Sequence, residues 1–342
     1  MRKEQGFSAV EVLISVVITL ILLGGTMSSF NRSVGLSEES RLMADLEQNL
    51  RAGINFTVQD FLTAGWGIPT GGIPIPSGTG AVAVKRPGPP GTVYTFGEEV
   101  LAAVNPGAGL GPTSGGQATD MVNILYADNT LLLNTKPLQA IATNGANVTV
   151  DAATPITGIR NPISAGDLIA FNNALGSTIQ YVSRVVGQVI YFDTGDPLSL
   201  NQPGASQGSI IQLRTTVVKN GNTTYTYPPT TATRVWLITY YLDFTTDSTM
   251  PRLIRRVNNR AGAAVALVLE NFHLSFDLVD GVTNPTNVSN PTDPYSPNQI
   301  RKANIFMSGR STTTMRATGE FLRRTLTTQV SLRSLSFIDR YR

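Results

Sequence analysis

Residues 1–30 read MRKEQGFSAVEVLISVVITLILLGGTMSSF, and the reading of this stretch decides the rest of the chain. Arg2 and Lys3 come first, and the nineteen residues from Val12 to Phe30 carry no charge. At 1.5 Å per residue, a helix of about 20 residues crosses the ~30 Å hydrocarbon core of a bilayer. The positive-inside rule keeps Arg2 and Lys3 cytoplasmic, which puts everything after Phe30 outside the cytoplasm. One residue fits poorly. Glu11 stands at the start of the run, and a carboxylate at the bilayer centre costs roughly 2.5–3.5 kcal/mol. Near a helix N-terminus the cost is smaller.

Three readings compete. A cleaved signal peptide needs a small-residue site, which Thr26-Met27-Ser28 or Ser28-Ser29 could supply, but the apolar run is long for one. A one-span anchor fits the length and gives Glu11 no task. The third is a resemblance. Gly6, Phe7, Glu11 and the apolar run stand in the register of the class III signal of type IV prepilins and pseudopilins. The resemblance implies cleavage by a prepilin peptidase between Gly6 and Phe7, N-methylation of Phe7, and a Glu11 that faces the α-amino group of a neighbouring subunit. A buried carboxylate without a partner is costly and a buried pair is tolerable, so docking into a filament would give Glu11 its partner.

Outward from this run, residues 31–64 are amphipathic. Leu36, Met43, Leu46, Leu50, Ile54, Val58 and Phe61 recur at helical spacing, while Glu38, Glu39, Arg41, Asp45, Glu47 and Arg51 fall largely on other faces. One helix of roughly 85 Å from about Phe7 to Ala64 is expected. Residues 7–30 would be its membrane or filament-core half and 31–64 its continuation. The alternative is two helices broken at Gly24-Gly25.

Residues 65–118 are rich in Gly and Pro and read as long surface loops. Residues 119–215 read as a β-rich subdomain and 216–342 as a C-terminal β-sheet region. Within the latter, RVWLITYYLDF around Trp236 reads as a buried central strand, and AVALVLENFHLSFDLV as a single strand. Asn220-Gly221 and Asp280-Gly281 are turn signals. The expected fold is α+β, a long N-terminal helix packed on an antiparallel β-rich domain. The blocks WLITYYLD, PRLIRRVNN, LVLENFHLSFDLVDG, RKANIFMSGRS and TLTTQVSLRS resemble the C-terminal part of PilW-type minor pilins and of J-class type II secretion pseudopilins. That resemblance implies a pilin-like domain with its last strands packed on the helix.

Composition narrows the chemistry. The 342 residues are 41% hydrophobic and 14% charged, with a formal net charge of +3. This is ample for a core and gives no case for bulk nucleic-acid binding. Cysteine is absent, which removes thiolate chemistry and disulfides. The single histidine, His273, shares a strand face with Asn271 and Ser275 and reads as a polar-face residue. No Ser-His-Asp pattern or phosphate loop stands out, so no enzyme and no cofactor are expected. Asp293, Asn284, Asn287 and Asn290 could offer oxygens to calcium, though a solvated loop is the simpler reading and no metal is assigned. Arg252, Arg255, Arg256 and Arg260 form one basic group; Arg323, Arg324, Arg333, Arg340 and Arg342 form another. Arg255 and Arg256 are the candidates for a DNA contact, against a preferred reading of solvated or carboxylate-paired arginines.

The resemblance implies a minor pilin made as a single-pass precursor in a bacterial inner membrane and then built into a surface or periplasmic filament. Its partners would be other major and minor pilins through the N-terminal helix, the prepilin peptidase, an inner-membrane assembly platform, and lipid before assembly. No small-molecule substrate and no nucleic acid are expected. A type II secretion pseudopilin, an adhesin or DNA-uptake pilin, and a membrane-anchored protein that forms no filament remain alternatives.

Overall fold

The computed structural model describes residues 8–219, 221–316 and 318–336. Helix α1, Ala9–Thr63, is continuous over 55 residues, about 80 Å. It runs unbroken through Gly24 and Gly25, so the two-helix alternative does not hold. Residues 9–34 are exposed, although Met315, Arg316 and Thr318 of the head line an open groove with Gly24, Met27 and Leu36. From Leu42 onward one face is buried, through Leu42, Leu46, Leu50, Gly53, Thr57, Asp60 and Phe61. The apolar stripe expected from the sequence meets this face only in part: Leu36 is 66% exposed, in an open groove that Met315, Arg316 and Thr318 line without covering it. Gly53, Thr57 and Asp60 complete the face instead. Gly53 lets the helix lie close, since a Cβ there would come within 3.0 Å of Ala266.

Ten strands carry the two main sheets: β1 Val104–Gly107, β2 Met121–Ala127, β3 Leu168–Asn173, β4 Gly176–Tyr181, β5 Thr231–Asp243, β6 Arg252–Val257, β7 Ala263–Leu267, β8 Leu269–Leu278, β9 Ile300–Thr314 and β10 Phe321–Ser331. Strand β5 organises the larger, antiparallel sheet. Its first half pairs with β3 and its second half with β6, while β2 pairs across residues 235–240. The remaining strands follow as β4 on β3, β7 on β6 and β1 on β2. Strands β8, β9 and β10 form the second sheet in that order.

The stretch read as one strand from AVAL to SFDLV is two strands in different sheets. Val268 turns the corner at φ +55°, a conformation that β-branched residues rarely adopt.

Leu46, Leu50 and Phe61 of α1 share one core with Ile124, Tyr240 and Leu253 of the larger sheet and Phe272, Phe276, Ile305 and Met307 of the smaller one. The Gly/Pro-rich stretch does more than cover the surface. Ile73, Ile75, Val84 and Leu101 are buried against Leu125, Val235 and Leu237 in a second core. A third core gathers Val148, Ile190, Phe192 and Ile210 with Phe171 of β3 and Ala232 of β5, so the subdomain grows out of the sheet. Its place follows from register. Gly53 packs beside Leu253, whereas Asp60 bonds Arg255. The helix therefore advances toward Val257 on β6 and toward Thr231 on β5. The third core lies beyond the C-terminal end of α1, at the opposite end from its bare apolar half.

Candidate functional site

Local chemistry sets the start of α1. The Glu11 amide donates to Ser8 Oγ at 3.2 Å and the Ser8 amide donates to Glu11 Oε2 at 3.0 Å. This capping box satisfies two amides that a helix start leaves unpaired. Beyond it, Leu13, Ile14, Leu20, Ile21, Leu22, Leu23 and Phe30 are exposed. The helix is long and apolar enough to cross a membrane, with a mean hydropathy of 2.3 over its most apolar window. Arg2, Lys3, Gly6 and Phe7 lie outside the described residues.

A charged joint holds this helix to the head. Arg255 donates from Nε to Asp60 Oδ2 at 2.6 Å and from Nη2 to Asp60 Oδ1 at 2.9 Å. The Tyr240 hydroxyl donates to Oδ2 at 2.5 Å and the Tyr126 hydroxyl reaches Oδ1 at 3.4 Å. Asp60 is buried, and a buried carboxylate is tolerable only with such partners. The joint shifts its members. Burial, and then the neighbouring Asp60 charge, push the Tyr240 phenol far up and the Tyr126 phenol up to about 12. Bonding to Asp60 holds the Arg255 guanidinium charged. Lower on the helix, Glu47 sits 3.6 Å from Arg324 of β10.

The candidate DNA-contacting arginines are therefore engaged internally. Arg255 belongs to the joint. Arg256 donates to the carbonyls of Arg260, Gly88 and Asn259 and to Asn259 Oδ1. Arg252 pairs with Asp243, Arg260 with Asp167 and Arg323 with Glu270. Arg340 and Arg342 lie outside the described residues.

Two buried arginines escaped the sequence reading. Arg234 is fully buried on β5. It donates to Asp128 from Nε and Nη2 and to the carbonyls of Asn161 and Pro162 from Nη1, and its guanidinium carbon lies 4.8 Å from the Trp236 ring centroid. Burial pushes the Asp128 carboxyl up, but hydrogen bonds from Thr130 and Arg234 outweigh it and hold the group below its ordinary range. For Asp167, 3.6 Å from Arg234, burial wins and the carboxyl is raised. The signal for Arg234 was a lone charge inside TATRVWLITYYL. Arg86 has only neutral acceptors, Asn123 Oδ1 and the carbonyls of Pro106 and Asn105, and burial lowers it to about 10.

His273 lies on the outward face of the β8–β10 sheet, Nδ1 3.5 Å from Asp120 Oδ2. Asp120 also accepts from the Gly109 and Leu274 amides. Register puts Ser275, Asn304 and Gln329 side by side in one row. Asn304 and Gln329 donate to Asp277, and Ser275 donates to Asn287. The Ser275 hydroxyl thus serves Asn287, and no hydroxyl bonds His273 among the described residues. Asn284 and Asn287 of the candidate calcium loop turn their side-chain oxygens to the Gly281 amide and to Ser275 and Asn304. Among the described residues no three His, Asp or Glu side chains group as metal ligands, and Asp293 joins no such group.

Comparisons of the chain with protein-family models, with characterised proteins and with solved structures find no match.

Proposed function

We propose that the chain is a filament-forming subunit of the type IV pilin kind, a minor pilin of PilW type held in a membrane by α1 until it is assembled. The observation that carries this reading is the division of one unbroken helix. Residues 12–30 carry no charge and are exposed, while the face from Leu42 to Phe61 is fixed in the core of a β-rich head. A helix bare at one end and rigidly held at the other offers its free half to lipid and then to neighbouring helices. The position of Gly6 and Phe7 ahead of that helix, with Glu11 in its first turn, agrees with prepilin processing. Co-expression with a prepilin peptidase, followed by intact-mass and N-terminal peptide measurement, tests the reading. Cleavage after Gly6 with a methylated Phe7 is expected; an uncleaved chain, or one cut near Ser28, overturns it.

A second reading, a head on a plain one-span anchor, has one observation in its favour. The capping box gives Glu11 a task within its own helix, without any second subunit.

A further inference from the structure

We propose that the subdomain beyond the end of α1 carries a binding site for a neutral oligosaccharide, seated in a cleft between the turn at Asn144–Ala146 and the base of the Thr215–Lys219/Asn222–Thr226 hairpin. The cleft encloses about 580 Å³, within the ~300–1,000 Å³ of small-ligand sites. Its floor is apolar, formed by Phe192 and Ile210. Gly145, at φ +71°, brings the turn down onto this floor: a Cβ there would meet Ile210 Cγ2 at 2.5 Å.

Polar groups are set into these walls. Gln180 is 3% exposed and lines the cleft. Its Nε2 is spent on the Ile179 and Gly208 carbonyls and Thr178 Oγ1. Its side-chain oxygen accepts no hydrogen bond among the described residues. That oxygen is still reached by solvent, and a ligand hydroxyl is a donor that fits it. At the mouth stands Tyr225, 40% exposed, its ring held by the Arg214 guanidinium 3.8 Å from the centroid. Arg214 is anchored on the Thr143 carbonyl.

The cleft thus presents an arginine-stacked aromatic ring, an apolar floor and an open acceptor. One arginine and one aspartate, Asp193, line it, so the charges balance. A pyranose has the matching character, with an apolar C–H face and a rim of hydroxyls. The location suits an extracellular ligand, because the cleft lies at the end of the molecule farthest from the membrane-capable run. That exposure, though not the chemistry of the cleft, rests on the proposed filament or anchor reading.

The test uses the full chain in detergent micelles and ligand-observed saturation-transfer NMR. The probes are lactose, maltose, cellobiose and N,N′-diacetylchitobiose, with sialyllactose and a neutral hexapeptide as controls. At least one neutral disaccharide is expected to bind and both controls to fail. Tyr225→Ala, on an exposed hairpin, is expected to weaken binding tenfold or more with an unchanged circular dichroism spectrum and melting midpoint. Gln180→Met, which keeps the volume and removes the acceptor, is expected to do the same. If Gln180→Met does not fold, Tyr225→Ala decides alone. No neutral saccharide bound, binding of sialyllactose or peptide only, or binding indifferent to Tyr225→Ala would each overturn the proposal. Because no filament is needed, failure here is separate from failure of N-terminal processing.

Discussion

Asp60 and Arg255, 195 residues apart in the chain, meet through two parallel hydrogen bonds of 2.6 and 2.9 Å. They join the last turns of the helix to the second strand of the β5–β6 hairpin. Truncating one partner leaves the other charge stranded, a loss of about 3–5 kcal/mol when both are buried. Arg255 keeps a quarter of its side chain in contact with solvent, so about 2–3 kcal/mol is expected for Asp60→Ala. Denaturant unfolding of the single variants and of Asp60→Ala/Arg255→Met gives the coupling. A double variant no more stable than the sum of the singles would show that the pair is not coupled.

The same joint predicts a dependence on alkaline pH. The Tyr126 and Tyr240 phenols are raised in the folded chain. Their neutral forms stabilise the fold fully below the ordinary tyrosine value of about 10. That contribution is lost as pH rises from about 10 toward and beyond the folded value, about 12 for Tyr126. Unfolding midpoints between pH 8 and 11.5 should fall, and Tyr240→Phe should flatten the decline. An equal slope in both proteins would remove Tyr240 from the account.

At the other end of α1, Glu11→Gln separates two tasks. Glutamine serves as well as glutamate in the third position of a capping box, so the helix start should be preserved and insertion into membranes unchanged. On the proposed filament reading, incorporation should nevertheless fall, because the charge proposed to answer a neighbouring amine is gone. Full incorporation of Glu11→Gln, scored in sheared filament fractions, would leave Glu11 as a cap alone.

Arg234→Met should be among the most damaging substitutions in the head. It strands Asp128, with Asp167 nearby, in a site closed to water, at a cost of about 3–5 kcal/mol. Arg160→Met, on the exposed loop beside it, should change stability by less than about 0.5 kcal/mol. Thermal melts of the two variants in parallel give the contrast.

The legible parts of this molecule were those governed by local pattern. The apolar run, the helical recurrence of Leu46, Leu50 and Phe61, and the bulky strand around Trp236 each declare their element within a few residues. Contacts over long separations were not legible. Asp60 reads as one more charge on an amphipathic helix, and only the fold brings Arg255 and Tyr240 to it. Leu36 continues the stripe correctly, but the sequence carries no mark of where the head stops covering the helix. Val268 hides a corner because Val-Ala-Leu-Val-Leu is what an uninterrupted strand looks like. The cleft at Gln180 joins a turn, a strand and a hairpin that no spacing rule connects.

An α1 without a break, clamped to its head at Glu47 and Asp60, has no swivel. Each residue of an α-helix advances about 1.5 Å and turns about 100°. A neighbour that engages the bare half one residue higher or lower must therefore see the whole head turned by nearly a third of a circle. The register chosen among apolar side chains at one end decides which way the distal cleft faces at the other.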